Sequence, residues 1–146
     1  MIFAPLEGWR HVKGTDRRTN VDFAHCLKDL VDMHCPQAHK IVLMSDNVNT
    51  HKPAALYEAF SPQEARRIIE KIEWHHTPKH GSWLHMAEIE LRVLQRQCLD
   101  RRIPDQEMLT REVAVWEHKR NHDAVKVNWR FTTEDARIKL KKLYPS

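Results

Sequence analysis

One short run constrains the fold more than any other: Ile-Val-Leu-Met at positions 41–44, continued by Ser45 and closed by Asp46. It shows little alternation of apolar and polar residues, which fits a strand covered on both faces, as in the middle of a parallel sheet. Around it, residues 1–6 and 9–16 read as two short strands joined by a turn at Glu7-Gly8. Residues 20–35 read as a helix, with Asn20 as N-cap and Val21, Ala24, Leu27, Leu30 and Val31 at helical spacing. Two short helices follow at 52–60 and 61–72. The second is announced by Ser61, Pro62 and Glu64, a capping box with proline in the first helical position. Residues 72–78 form another strand, and 79–82 a loop. Ser82 caps a long helix over 83–102, Pro104 and Asp105 open a further helix, and a last one spans 132–144. Strands that come early and alternate with helices predict an α/β fold with a mixed sheet. Functional sites in such sheets form at the carboxyl ends of strands, and Asp46 stands at one.

The 146 residues suffice for one domain with a real core, so a single domain over 1–146 is expected, ending in a basic helical segment from about 105. With 41% apolar and 30% charged residues the composition is that of a globular chain. Three glycines argue against Gly-rich phosphate loops. No apolar run is long enough to cross a bilayer, and no leader is evident at the start, so the expected location is cytoplasmic. Cys26, Cys35 and Cys98 form no CxxC pair, which argues against a disulfide framework. The net charge of +4 is unevenly placed: residues 119–146 carry eight Lys or Arg against three Asp or Glu. Such an end either is a solvated helix face or meets a polyanion such as nucleic acid. Trp116, Trp129 and Phe131 punctuate it, as core residues or as base-stacking platforms.

An acid closing a strand can cap a helix or ligate a metal. Glu88, in the long helix, is the natural partner for Asp46. On a helical wheel it falls about 40° from Leu84, at the edge of the face carrying Ala87, Leu91, Leu94 and Cys98, whereas Glu90 points about 160° away from it. Two carboxylates offer the hard oxygens that a divalent cation prefers, or else are a cap and a salt-bridged helical Glu. His75, His76, His80 and His85 crowd the same region, at spacings that fit no closed zinc site. Lys79, Ser82 and the start of the long helix could receive an anion. Cys26 beside His25 and Cys35 beside His34 diverge by about 100° on a helix, so neither is placed as a catalytic dyad.

The stretches LMSDNVNTHKPAALYEAF, HHTPKHGSWLHMAEIELRVLQRQCLDRRIPD and WRFTTEDARIKLKKLYPS together resemble the carboxy-terminal catalytic portion of the DDE transposases of bacterial insertion sequences, in the branch related to mariner elements. The resemblance implies a ribonuclease-H-like mixed sheet flanked by helices, with a helical C-terminal extension. It also implies three acids that hold two Mg²⁺ or Mn²⁺ ions, which cut DNA at transposon ends and join the strand to target DNA. Asp46 matches the family's second acid and Glu88 the third. Lys79, His80, Ser82 and Arg92 are candidate contacts to DNA phosphates. His85 stands where the family usually has Asn. Neither Asp16 nor Asp22 matches the first acid, which belongs on a first strand not seen here. The chain is therefore expected to be an N-terminally truncated or divided transposase, weakly active or inactive alone, in a bacterial cell and near the nucleoid. Expected partners are transposon-end and target DNA, a second copy, or an intact transposase. The alternative is a non-catalytic fragment that binds DNA or dimerises and so modulates an intact enzyme.

Overall fold

A computed structural model describes residues 1–46, 52–77, 86–128 and 132–140. The elements alternate as the sequence suggests: β1 (Ile2–Ala4), β2 (Trp9–His11), α1 (Asn20–Asp29), β3 (Ile41–Ser45), α2 (Ala55–Ala59), α3 (Pro62–Lys71), β4 (Ile72–His76), α4 (Met86–Leu94), α5 (Gln106–His122) and α6 (Thr133–Leu140). Both α1 and α4 run on into a wider π turn, at Leu30–His34 and Gln95–Leu99. No helix among the described residues is long and apolar enough to cross a membrane.

The strands make two separate pairs among the described residues, not one mixed sheet. β1 and β2 are antiparallel, with Phe3 opposite Arg10. Their turn closes through the Gly8 N–H, which donates to the Ala4 carbonyl at 2.9 Å. Gly8 has φ +73°, which a side chain tolerates poorly, and a Cβ there would lie 2.5 Å from the Ala124 carbonyl. β3 and β4 are parallel, with Ser45 opposite His76. The α2–α3 segment connects them, the crossover that a parallel pair requires. β3 is not covered on both faces: Val42 and Met44 are 66% and 55% exposed. Ile41 and Leu43 on its other face pack against Leu27, Val31, Leu56, Ala65 and Ile68.

Local chemistry explains the boundaries. Thr19, not Asn20, caps α1. Its side chain accepts from the Asp22 N–H, and the Asp22 carboxylate accepts from the Thr19 N–H at 3.0 Å and hydroxyl at 2.7 Å, a reciprocal box. Ser61 caps α3 with Pro62 in the first turn, as the sequence indicates. Asp105 caps α5, accepting from the Met108 N–H at 2.8 Å. The second core lies between α4 and α5, where Leu94, Val113 and Trp116 are buried with Val12, Val93 and Leu109 against them. Trp116 is thus a core residue, its indole N–H donating to Gln97 at 3.0 Å. Trp129 and Phe131 lie outside the described residues.

Candidate functional site

Asp46 directly follows the last residue of β3, at the carboxyl end of the parallel pair, and is half-buried. Directly before it, Ser45 is buried and organises the strand end. The Trp74 indole N–H donates to Ser45 Oγ at 2.9 Å, and Ser45 Oγ lies 3.1 Å from His76 Nδ1. The Ser45 hydroxyl thus joins the Trp74 indole and the His76 ring at the strand end. The backbone continues the ladder, Thr77 N–H donating to the Ser45 carbonyl at 2.9 Å. His76 was visible in the sequence only as one of several crowded histidines. The signal that singles it out is its register, directly across from the residue before Asp46.

Glu88 lies in the first turn of α4 and is half-buried. The helix buries a different side from the one expected. Leu91 is 43% exposed, while Glu90 is buried at 2% beside Leu94. The ion pairs of this helix run through Glu90, and no hydrogen bond or ion pair among the described residues engages the Glu88 carboxylate. Arg92, one turn on, is exposed and with Gln95, Arg96 and Asp100 lines an open depression, a place for an anion. Lys79, His80 and Ser82 lie outside the described residues.

The described residues contain no group of three or more His, Cys, Asp or Glu side chains that could hold a metal ion. Asp22 serves the α1 cap: both Thr19 donors engage one oxygen of its carboxylate and hold its pKa below the ordinary value. Asp16 is exposed in the segment after β2. The donor chemistry of Asp46 and Glu88 fits a hard divalent cation, as hard-oxygen carboxylates that leave positions for water and phosphate. Burial pushes the Cys26, Cys35 and Cys98 thiols up, which disfavours the reactive thiolate.

No curated protein and no solved structure matches the chain. A family model does, that of the DDE superfamily endonuclease, over residues 2–110. The match covers both strand pairs and both candidate acids and stops just inside α5. Since it spans well over half of the sequence, the chain belongs to the DDE superfamily endonuclease family.

Proposed function

We propose that the chain acts in DNA transposition, as the part of a metal-dependent DDE transposase that contributes two of its catalytic acids. What supports this reading is that the two acids the resemblance matches to the family's second and third are both half-buried, Asp46 at the carboxyl end of β3 and Glu88 in the first turn of α4. Both fall inside the matched span. Asp46 and Glu88 would hold Mg²⁺ or Mn²⁺. Bound there, such an ion supplies Lewis-acid stabilisation of phosphoryl oxygens and a more acidic bound water. The protein's own residues do the rest. Arg92 and Arg96 present guanidinium groups to the DNA backbone from the exposed side of α4 and the turn after it. Lys79, His80 and Ser82 stand in the sequence between β4 and α4 and are candidates for the same task. His76, in contact with the Ser45 hydroxyl through Nδ1, places its ring next to the strand end.

Two carboxylates hold one ion weakly and do not define the paired geometry of a two-metal site. The family pattern has a third acid, which neither Asp16 nor Asp22 supplies. Strand transfer by the chain alone is therefore expected to be weak. The test is nicking of labelled transposon-end DNA in Mn²⁺, comparing the wild type with Asp46→Asn and Glu88→Gln. Nicking that persists unchanged in both variants would refute the assignment.

The second reading is a non-catalytic module that binds DNA or pairs with an intact transposase. The basic charge beyond residue 119 favours it. It predicts affinity for DNA that falls steeply with salt, in proportion to the phosphates neutralised, and no cleavage with any metal.

A further inference from the structure

α4 is placed against its neighbours in an unexpected way. At its second turn it buries a glutamate and exposes the two apolar residues beside it. Glu90 is 2% exposed, while Ile89 and Leu91 are 41% and 43% exposed. Hydrogen bonds hold the carboxylate on one side, and on the other it meets a buried positive charge whose facing nitrogen makes no hydrogen bond among the described residues. Arg120 of α5 donates from Nε to Oε1 at 2.8 Å and from its terminal nitrogen to Oε2 at 3.2 Å, a forked pair. Arg10 of β2, fully buried, faces Oε1 with its Nε at 3.1 Å. Both arginines are themselves fixed. Arg10 donates to the Gly8 carbonyl at 2.9 Å, to Asn121 Oδ1 at 3.3 Å and to the Val125 carbonyl at 2.6 Å. The Arg120 guanidinium lies 5.2 Å from the centre of the Trp116 ring. One carboxylate thus ties α4 to a strand and a helix from opposite ends of the chain.

Apolar burial alone would not choose this orientation. A roll of about 100° about the helix axis, the angle per residue, would bring Ile89 or Leu91 inward in place of Glu90. The same roll would swing Glu88 through the same angle. Leu94, one turn on, anchors the far end of the helix, so Glu90 governs the end where Glu88 stands. We propose that Glu90, held by Arg10 and Arg120, is the positioning residue that sets the roll of α4 and thereby the aim of Glu88. The consequence for catalysis rests on the reading of Glu88 as a metal ligand; the roll itself does not.

The experiment separates the two. Single substitutions at the cluster strand a buried charge, so the key variant is the triple Arg10→Met, Glu90→Leu, Arg120→Met, which replaces the whole group by apolar side chains. Such replacements are often neutral or stabilising. Into the wild-type and triple backgrounds of the full chain, Glu88→Cys, Ile89→Cys and Leu91→Cys are introduced one at a time. Thiol labelling is then read site by site by mass spectrometry, which keeps Cys26, Cys35 and Cys98 apart. Expected is rapid labelling at 89 and 91 in the wild-type background. In a triple variant that stays folded by circular dichroism, labelling at one of them should slow roughly tenfold, with a changed rate at 88. An unchanged pattern in the folded triple variant overturns the proposal. If the triple variant unfolds, Glu90→Gln, which keeps the shape, is read in its place by the same criterion. Unfolding of both makes the cluster a stability element only, and also overturns it.

Mn²⁺ titration followed by electron paramagnetic resonance then addresses Glu88. Glu88→Gln and the folded triple variant should each bind Mn²⁺ about 10-fold or more weakly than the wild type. If Glu88→Gln binds as the wild type does, the metal reading falls while the labelling result stands. If Glu88→Gln weakens binding and the triple variant shows the wild-type labelling pattern, the metal reading survives and the positioning role does not.

Discussion

Around α1, α2 and α3 the buried interior is apolar: Ala24, Leu27, Val31, Leu56, Ala65 and Ile68 close against one another and against β3 and β4. Charges in that region stay at the rim, where Lys28, Asp32, Glu64 and Arg67 form an exposed network. Around β2, α4 and α5 the apolar cluster of Leu94, Val113 and Trp116 shares the interior with buried charge. A carboxylate between two guanidiniums occupies the interior, while Ile89, Leu91 and Val115 face outward. The first region gains stability from area removed from water, which is non-directional and tolerant of repacking. The second takes up fixed directions, because forked hydrogen bonds are satisfied in one geometry. The difference teaches where each kind of element belongs: the apolar half carries the scaffold, and the polar seam carries the helix on which orientation matters.

The comparison can be broken most sharply at the seam. Glu90→Ala leaves Arg10 buried without its carboxylate and is expected to cost about 3–5 kcal/mol, read as a lowered urea midpoint. In the apolar half, Ile68→Ala empties a fully buried site and is expected to cost about 2–5 kcal/mol by the same measurement. The two regions separate under a milder change: Ile68→Val should cost only about 0.5–1.5 kcal/mol, whereas Glu90→Gln, equally conservative in shape, should cost several times that. If the two mild variants cost the same, the seam is no more directional than the core. At the turn that backs the seam, Gly8→Ala combines left-handed strain of about 1–2 kcal/mol with a clash against Ala124, and a loss of at least that size is expected. Thr19→Ala, which removes the α1 cap, should cost about 1 kcal/mol.

The smallest effect belongs to the exposed network. Hydrogen bonds from Arg67 and Lys28 lower the Glu64 pKa from an ordinary 4.5 to about 2. Because the folded value is depressed, the contribution is present above pH 4.5 and is lost as pH falls toward 2. The urea midpoint of the wild type should therefore fall slightly more over that window than that of Glu64→Gln. Added salt should shrink the difference, since these groups are open to solvent.

Local patterns carried the reading a long way. The cap of α3 is written in Ser61-Pro62, the start of α5 in Asp105, and β3 in its apolar run. The α1 boundary was one residue off because Thr19 and Asn20 are both good caps; the deciding signal is Asp22, three residues after Thr19, which completes the reciprocal box. Burial of β3 on both faces was over-read, since an apolar run reports what a strand could bury and not which elements reach it. Asp46 and Glu88 stand out as a strand-end acid and a helical acid, while their reading as metal ligands comes from the family resemblance. Glu90 does not stand out. A wheel assigns a glutamate to the outside, and only two arginines, one 80 residues before it and one 30 after it in the sequence, reverse that assignment. His76 likewise needed the β3–β4 register, a pairing between residues 31 apart.

The grip of Asn121 on Arg10 has a further consequence, in time and not in space. Asn121 donates to the Arg10 carbonyl at 2.8 Å and accepts from its N–H at 2.9 Å, across a separation of 111 residues. A contact so distant along the chain carries a large loop-closure cost and forms after its local neighbours have ordered. On the ribosome the β1–β2 hairpin is made well before α5. Arg10 therefore waits, hydrated and uncovered, until α5 has followed it. The clasp between Arg10 and Asn121 thus closes only once α5 has been made.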